Sequence, residues 1–171
     1  NRALSLIEQH LQGAQRPIIL VGGGDWDTIA CEHLERFAEA HVIPVYTAFR
    51  RADIFDNHHP NYAGYVGIGT SEAVWQRVEQ SDCILVIGAR LDEPTTRDYQ
   101  FPGLDRSKQA LLHIHPDSAQ LGLNFPPTVG LTAKVTYAMA ALHQLPVKAT
   151  SERSEWCASA RRDFVLSEEP P

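Results

Sequence analysis

Cysteine is scarce in this chain of 171 residues: Cys31, Cys83 and Cys157 stand far apart, odd in number, and in no C-x-x-C or Cys/His spacing. That pattern excludes a zinc module or a disulfide framework as the organising principle. No uninterrupted apolar run is long enough for a membrane helix. Basic residues are not in excess, and a net charge of -6 counts against a surface built for nucleic acid. The only adjacent basic pairs, Arg50-Arg51 and Arg161-Arg162, read as solvated surface. The chain opens Asn1-Arg2-Ala3 with no initiator methionine and no signal-peptide pattern, as a segment excised from a longer polypeptide would. A cytoplasmic location fits the absence of disulfide patterning.

Catalytic signatures are equally thin. Ser71, Ser81 and Ser118 lie in no G-x-S-x-G context, and no cysteine has a local base signature, so a nucleophilic hydrolase is disfavoured. No glycine run ends in the Gly-Lys-Ser/Thr of a phosphate-cradling hydrolase loop. The 43% hydrophobic and 21% charged fractions are those of an ordinary globular domain.

What is present is a strand-turn-helix series. Ile18 to Val21 is a fully apolar run, as in a parallel strand buried on both faces, and it ends in Gly22-Gly23-Gly24. Before it, Leu4, Ile7, Leu11 and Ala14 mark an amphipathic helix ending near Gly13. After it, Thr28 to Ala40 reads as a helix with Ile29, Leu34, Phe37 and Ala38 on one face. Val42 to Tyr46 is a second strand, whose Pro44 favours an end or an edge. Phe49 to Thr70 reads as a long irregular connection and Ser71 to Gln80 as a helix capped by Ser71 or Thr70. Cys83 to Gly88 is the clearest buried strand, Ala110 to His115 another, and Pro127 to Leu131 a short one. Thr132 to Gln144 reads as a helix with Thr132 as its cap. Trp156, Ala160 and Phe164 fit one face of a last helix, followed by a linker-like Ser167 to Pro171. Strands separated by helices require crossovers, hence an α/β fold with a mostly parallel sheet and helices on both faces.

Candidate ligand groups follow from that frame. Ligands of open α/β sheets gather beyond the carboxyl ends of the strands. Gly22, Gly23 and Gly24 leave no side chain between backbone and a phosphate, although the spacing is not G-x-G-x-x-G. Asp25 would repel a phosphate there unless it caps the helix. A tight turn with no ligand fits the same residues. Gly64 to Gly69 is a second glycine-rich approach to a helix. Gly88-Ala89-Arg90-Leu91-Asp92 leaves the end of a strand, where Arg90 is placed to meet a phosphate or to pair with Asp92 or Asp98. His113 and His115 alternate along a strand and should share one face, a weak metal signal without a third ligand. His58-His59 reads as a loop cluster.

Taken in order, these segments resemble a known pattern. Pro17 to Gly24, His41 to Val45, Gly64 to Gly69, Ser81 to Asp92 and Leu112 to Gly122 are similar to the central domain of thiamine-diphosphate-dependent enzymes of the acetolactate synthase and pyruvate oxidase group. The likeness covers Leu4 to Leu145. It implies a Rossmann-like three-layer domain of about six parallel strands over residues 1–147, with 148–171 leading toward a further domain. It also implies flanking pyrimidine- and diphosphate-binding domains of the same polypeptide, a homo-oligomeric parent, and thiamine diphosphate with magnesium held by those flanking domains. Neither the activating glutamate nor a Gly-Asp-Gly metal motif is found in this chain. In some members the central domain binds FAD or ADP. The positions matching flavin contacts are Gly22, Gly23, Gly24, Gly64, Gly88, Arg90 and Asp92. Three departures weigh against a flavin: His115 occupies an acidic position that can hold a ribose, Thr132 replaces an aspartate, and Pro94 a basic residue. The leading expectation is a structural central domain of a 2-oxo acid lyase or transferase. The alternative is a stand-alone FAD- or ADP-binding module. A third reading, an NAD-dependent deacylase, lacks its histidine motif and zinc module.

Overall fold

The computed structural model describes residues 1–147 and 149–171; Lys148, the first residue of the expected C-terminal segment, lies outside the described residues. Along the described residues, helices α1 (Arg2–Gly13), α2 (Thr28–His41), α3 (Glu72–Glu79), α4 (Val135–Leu142) and α5 (Ser151–Ser167) and strands β1 (Pro17–Val21), β2 (Val45–Ala48), β3 (Tyr62–Val66), β4 (Cys83–Ile87), β5 (Ala110–His115) and β6 (Val129–Thr132) follow in the order α1-β1-α2-β2-β3-α3-β4-β5-β6-α4-α5. The strands form one sheet in the order β3-β2-β1-β4-β5-β6, and every pair is parallel. Residues Pro17 to Val21 pair in register with Cys83 to Ile87, so the two most apolar strands lie side by side at the centre.

Alternation along these strands splits the core in two. Ile19, Val21, Leu85, Ile87, Leu112 and Ile114 face α1, α2 and α4, whereas Ile18, Leu20, Ile84, Val86 and Leu111 face α3 and α5. The architecture is therefore helix layer, sheet, helix layer, as expected of a sheet buried on both faces.

Local chemistry sets the element ends. The side chain of Asp27, rather than Asp25, caps α2 by accepting the Ala30 N–H at 2.8 Å. Ser71 caps α3, and Thr150 caps α5. At the end of α2, Val42 takes the left-handed conformation (φ 54°), and its N–H bonds back to Ala38 and Glu39. That cap delays β2 to Val45. Pro44 consequently sits just before the start of β2, the end position expected of it, and the strand it precedes is interior rather than an edge.

Other expectations also shift. Ile29 turns to solvent, 61% exposed, and α2 buries Ala30, Leu34, Phe37 and Ala38 instead. The stretch from Phe49 to Thr70 is not wholly irregular, because it contains the edge strand β3. Thr132 ends β6 rather than capping a helix; α4 starts after Lys134 with no side-chain cap. Arg161 is not simply solvated, since its guanidinium donates to the carbonyls of Asn57 and Tyr62 at 2.9 and 3.0 Å.

Helix α5 packs on β3 and α3. Trp156 and Ala160 are buried there, and the Trp156 Nε1–H donates to Pro17 O at 2.9 Å. Phe164 rests on Gly64, where a Cβ would fall 2.8 Å from its ring. Arg153 is fully buried, and its guanidinium donates to the carbonyls of Leu11, Ala14 and His41. These carbonyls lie at the C-terminal ends of α1 and α2, where helices leave acceptors unpaired and where a cation is favoured. Burial lowers the Arg153 pKa. Replacing Arg153 by Met should lower stability by about 3 kcal/mol or more, because the buried carbonyls of Ala14 and His41 lose this donor while Leu11 keeps only the Ala14 N–H among the described residues. Urea unfolding followed by far-UV circular dichroism measures this; a loss within experimental error would show that the clamp is dispensable.

Candidate functional site

The strand order reverses between β1 and β4, each the start of one half of the sheet. A crevice is expected beyond their carboxyl ends. One is found there: a cleft of about 520 Å³ lined by residues of the turns after β1, β2, β4 and β5. Gly23, Gly24, Gly88, Arg90, Asp92 and His115 all line it. Gly22 lies just beneath, with Ala48 and Ala89 filling the direction of its missing side chain. Gly64 is elsewhere, in β3 under Phe164.

The glycines bring two turns into backbone contact. Gly23 (φ 75°) and Gly88 (φ 77°) are left-handed, a conformation that carries little penalty only for glycine. A Cβ at Gly23 would overlap the carbonyl of Gly88, and one at Gly88 would fall 2.5 Å from Gly22 O. The Gly88 N–H donates to Ile114 O at 2.9 Å, and the Trp26 Nε1–H to Gly22 O at 2.8 Å. Gly24 alone of the three has open space beside it. The Arg51 guanidinium reaches over to the Gly23 carbonyl while pairing with Asp53 at 3.0 Å, and that pairing holds the Asp53 carboxyl below its usual range.

Two histidines share one face of β5, with ring centroids 6.1 Å apart. His113 is buried. Its Nε2 lies 2.9 Å from the Ala89 carbonyl, which can only accept, so the ring proton sits on Nε2 and the buried Nδ1 has no partner among the described residues. At His115 the Asp117 N–H donates to Nδ1 at 3.0 Å, nearer than the Asp117 carbonyl at 3.2 Å; because that N–H can only donate, the ring proton sits on Nε2. Burial lowers the pKa of both rings. The Ala89 bond opposes the shift at His113, and Asp117 opposes it at His115, where the nearby Arg90 charge adds to it.

Arg90 forms no ion pair with Asp92 or Asp98 among the described residues. One Asp92 oxygen accepts the Thr95 N–H at 3.2 Å. The loop that follows carries three consecutive left-handed residues, Arg97, Asp98 and Tyr99. Tyr99 borders a smaller cavity of about 240 Å³ that shares Arg90 and Asp92 with the cleft.

At the opposite end of the sheet, His59 lies near Glu35 and Glu39. The Asn61 N–H donates to His59 Nδ1 at 3.0 Å, so Nε2 carries the proton and donates to Glu39 at 2.6 Å. The ring offers these carboxylates a hydrogen, not a metal-binding lone pair. Sequence reasoning missed Arg51, which lines the cleft, and Trp26, whose indole N–H holds the Gly22 carbonyl beneath it, since neither belongs to a glycine motif.

Two results should follow from this geometry. Gly88→Ala should destabilise the protein by about 2 kcal/mol or more, whereas Gly24→Ala should change stability by no more than about 0.5 kcal/mol; denaturant titration distinguishes them. Because the His113 and His115 pKa values lie below 6.5 in the folded chain, the unfolded chain takes up protons first as pH falls. Their stabilising contribution is therefore complete above about pH 6.5 and is lost as pH drops through the lowered folded values. The thermal midpoint should decline over that window, and His113→Gln should make the decline shallower.

The family model described as "Thiamine pyrophosphate enzyme, central domain" matches residues 4–145. "Acetolactate synthase large subunit" of Parasynechococcus marenigrum is 30% identical over 88% of this chain and 23% of its own length. "Acetolactate synthase 1, chloroplastic" of Oryza sativa subsp. japonica is 30% identical over 96% of this chain and 26% of its own. "Sulfoacetaldehyde acetyltransferase" of Rhodobacter capsulatus is 33% identical over 77% and 22%. The chain spans between 18% and 26% of the length of the curated relatives it matches. The chain belongs to the thiamine pyrophosphate enzyme central-domain family.

Proposed function

We propose that this member of the thiamine pyrophosphate enzyme central-domain family is the spacer of an acetolactate synthase-like lyase or transferase acting on 2-oxo acids. The family match over residues 4–145, together with the chain's small share of its relatives' length, carries this reading. On it, residues 1–147 are the central domain and 148–171 lead to a further one. Pyrimidine- and diphosphate-binding domains of the same polypeptide hold thiamine diphosphate and magnesium, in a cytoplasmic homo-oligomer. No helix among the described residues is long and apolar enough to cross a membrane.

The cleft's own chemistry supports a spacer over a coenzyme carrier. Asp92 is the one carboxylate among its lining residues. Such a lining does not fit a magnesium-diphosphate group, so no step of thiamine chemistry is assigned to this chain. A dinucleotide fits no better. Gly22, Gly23 and Gly88, which would give a pyrophosphate close backbone approach, are pressed against one another. Asp27 already caps the helix that would receive the phosphates. The one acceptor nitrogen of His115 is taken by Asp117, leaving none for ribose hydroxyls. FAD and ADP therefore find no built seat. Gly22 and Gly64 serve packing, Gly23 and Gly88 line the cleft but are held by their contact with one another, and Gly24, Arg90, Asp92 and His115 face the cleft.

The purified protein should be colourless, and FAD or ADP should raise its melting temperature no more than inorganic phosphate at the same concentration. A ligand at a hundred times its Kd would add about 2.7 kcal/mol, a shift easily seen. Turnover of a 2-oxo acid should require the flanking domains in the same polypeptide. A stoichiometric yellow flavin, or turnover by this domain without them, would overturn the reading.

A further inference from the structure

The end of α4 is fastened to α2 by histidines. The rings of His33, on α2, and His143, the residue after α4, stack with centroids 3.9 Å apart and planes 11° from parallel. Two residues further on, the Leu145 backbone accepts a hydrogen bond from the ring of His41, the last residue of α2. Helix α4 needs such attachments. It has eight residues and no side-chain N-cap, and a helix shorter than about 12 residues is marginal by itself. The site suits neutral rings. An imidazolium donates from both nitrogens, yet His33 Nδ1 and His41 Nε2 are buried and have no partner among the described residues. A proton there would leave a buried donor without an acceptor. The charges nearby point the same way. Arg36 of α2 acts on His143, and Arg153 of α5 acts on His41. The chain from Val135 to Val147 carries no Asp, Glu, Lys or Arg to offset them. On α2, Glu32 and Glu35 are exposed, and Glu39 is taken by His59. None of the three histidines forms an ion pair among the described residues. Burial first, then His33 and Arg36, holds the His143 pKa below the usual histidine value. Burial first, then Arg153, lowers that of His41 against the opposing Leu145 bond.

We propose that the stacked pair of His33 and His143, backed by His41, is a proton-operated latch: neutral rings hold the end of α4 on α2, and protonation releases it. Two charged rings at stacking distance repel one another, so the pair cannot take up its second proton and stay closed. Opening lets water reach the buried nitrogens and supply the missing acceptors. Because the His41 and His143 pKa values are lowered while α4 is docked, the released state binds protons more readily. Docking is therefore complete above about pH 6.5 and weakens as pH falls through the lowered values. The movement is local. Arg153 keeps the end of α2 in place through the His41 carbonyl, so α2 stays and the last turn of α4 swings free. The chain beyond that turn leads toward α5, whose approach is thus held tightly at neutral pH and loosely in acid. The latch is independent of the spacer role, because it uses no group of the cleft.

The test is amide hydrogen exchange of the protein, read by NMR as protection factors so that the intrinsic pH dependence of exchange is removed. Between about pH 7.5 and about pH 5.5, protection from Met139 to Leu145 should fall about tenfold or more, while that of β1 and β4 should change less than about threefold. His143→Phe and His33→Phe each keep a ring in the stack that cannot titrate, and each should cut the loss to about threefold or less. Circular dichroism establishes that each variant is folded. Should neither Phe variant fold, the ring-nitrogen signals of the parent decide: the loss of protection must follow the titration of His33 and His143. The proposal fails if protection at the end of α4 does not change with pH, or if it falls no more than that of β1 and β4, which would mark global loosening. It also fails if the loss persists undiminished in both Phe variants, or runs apart from the titration of the two rings.

Discussion

A guanidinium removed from water holds the layers of this domain in register. Arg153 belongs to α5, yet its donors end on carbonyls of α1 and of α2, which pack on the other face of the sheet. Helix ends supply acceptors that nothing inside the helix can use, and a buried cation requires acceptors, so each removes the other's penalty. Three residues further along α5, Trp156 takes the first carbonyl of β1. The start of the central strand is thereby fixed at one end of the sheet, and its exit, the run Gly22 to Gly24, is delivered above β4 at the other.

That exit shows how one chemical feature serves two ends. A missing Cβ gives a phosphate access to backbone N–H groups, and equally lets a second chain segment lie against them. Here the second segment is the chain's own Gly88 turn. The glycine run therefore closes the space that the same residues would open in a dinucleotide site, and the cleft's remaining polar character rests with Arg90, Asp92 and His115.

Much of the fold was legible because buried parallel strands are written as apolar runs: Ile18 to Val21, Cys83 to Ile87 and Ala110 to His115 all fall where that pattern puts them. Ser71 was legible as a cap for the same local reason. Strand β3 was hidden because Gly64 interrupts a short Tyr-Ala-Gly-Tyr-Val segment, and its glycine is required by Phe164, a hundred residues later in the chain. The delayed start of β2 was hidden because Val42, a β-branched residue, adopts a left-handed cap that its type disfavours. The cleft residues were named from their place at strand ends. Which histidine nitrogen carries the proton was not legible, since backbone groups at Ala89 and Asp117 decide it.

The treatment of β3 reaches beyond this domain's own packing. An outermost strand normally offers unpaired amides to any passing chain. On this one, Arg161 occupies the Tyr62 carbonyl, and Phe164 lies across the face at Gly64. One flank of the sheet is thus stoppered by a positive charge and an aromatic ring from the same helix. Lateral templating by a foreign strand is left with β6, four residues long with an exposed glycine and an exposed threonine, as its point of entry.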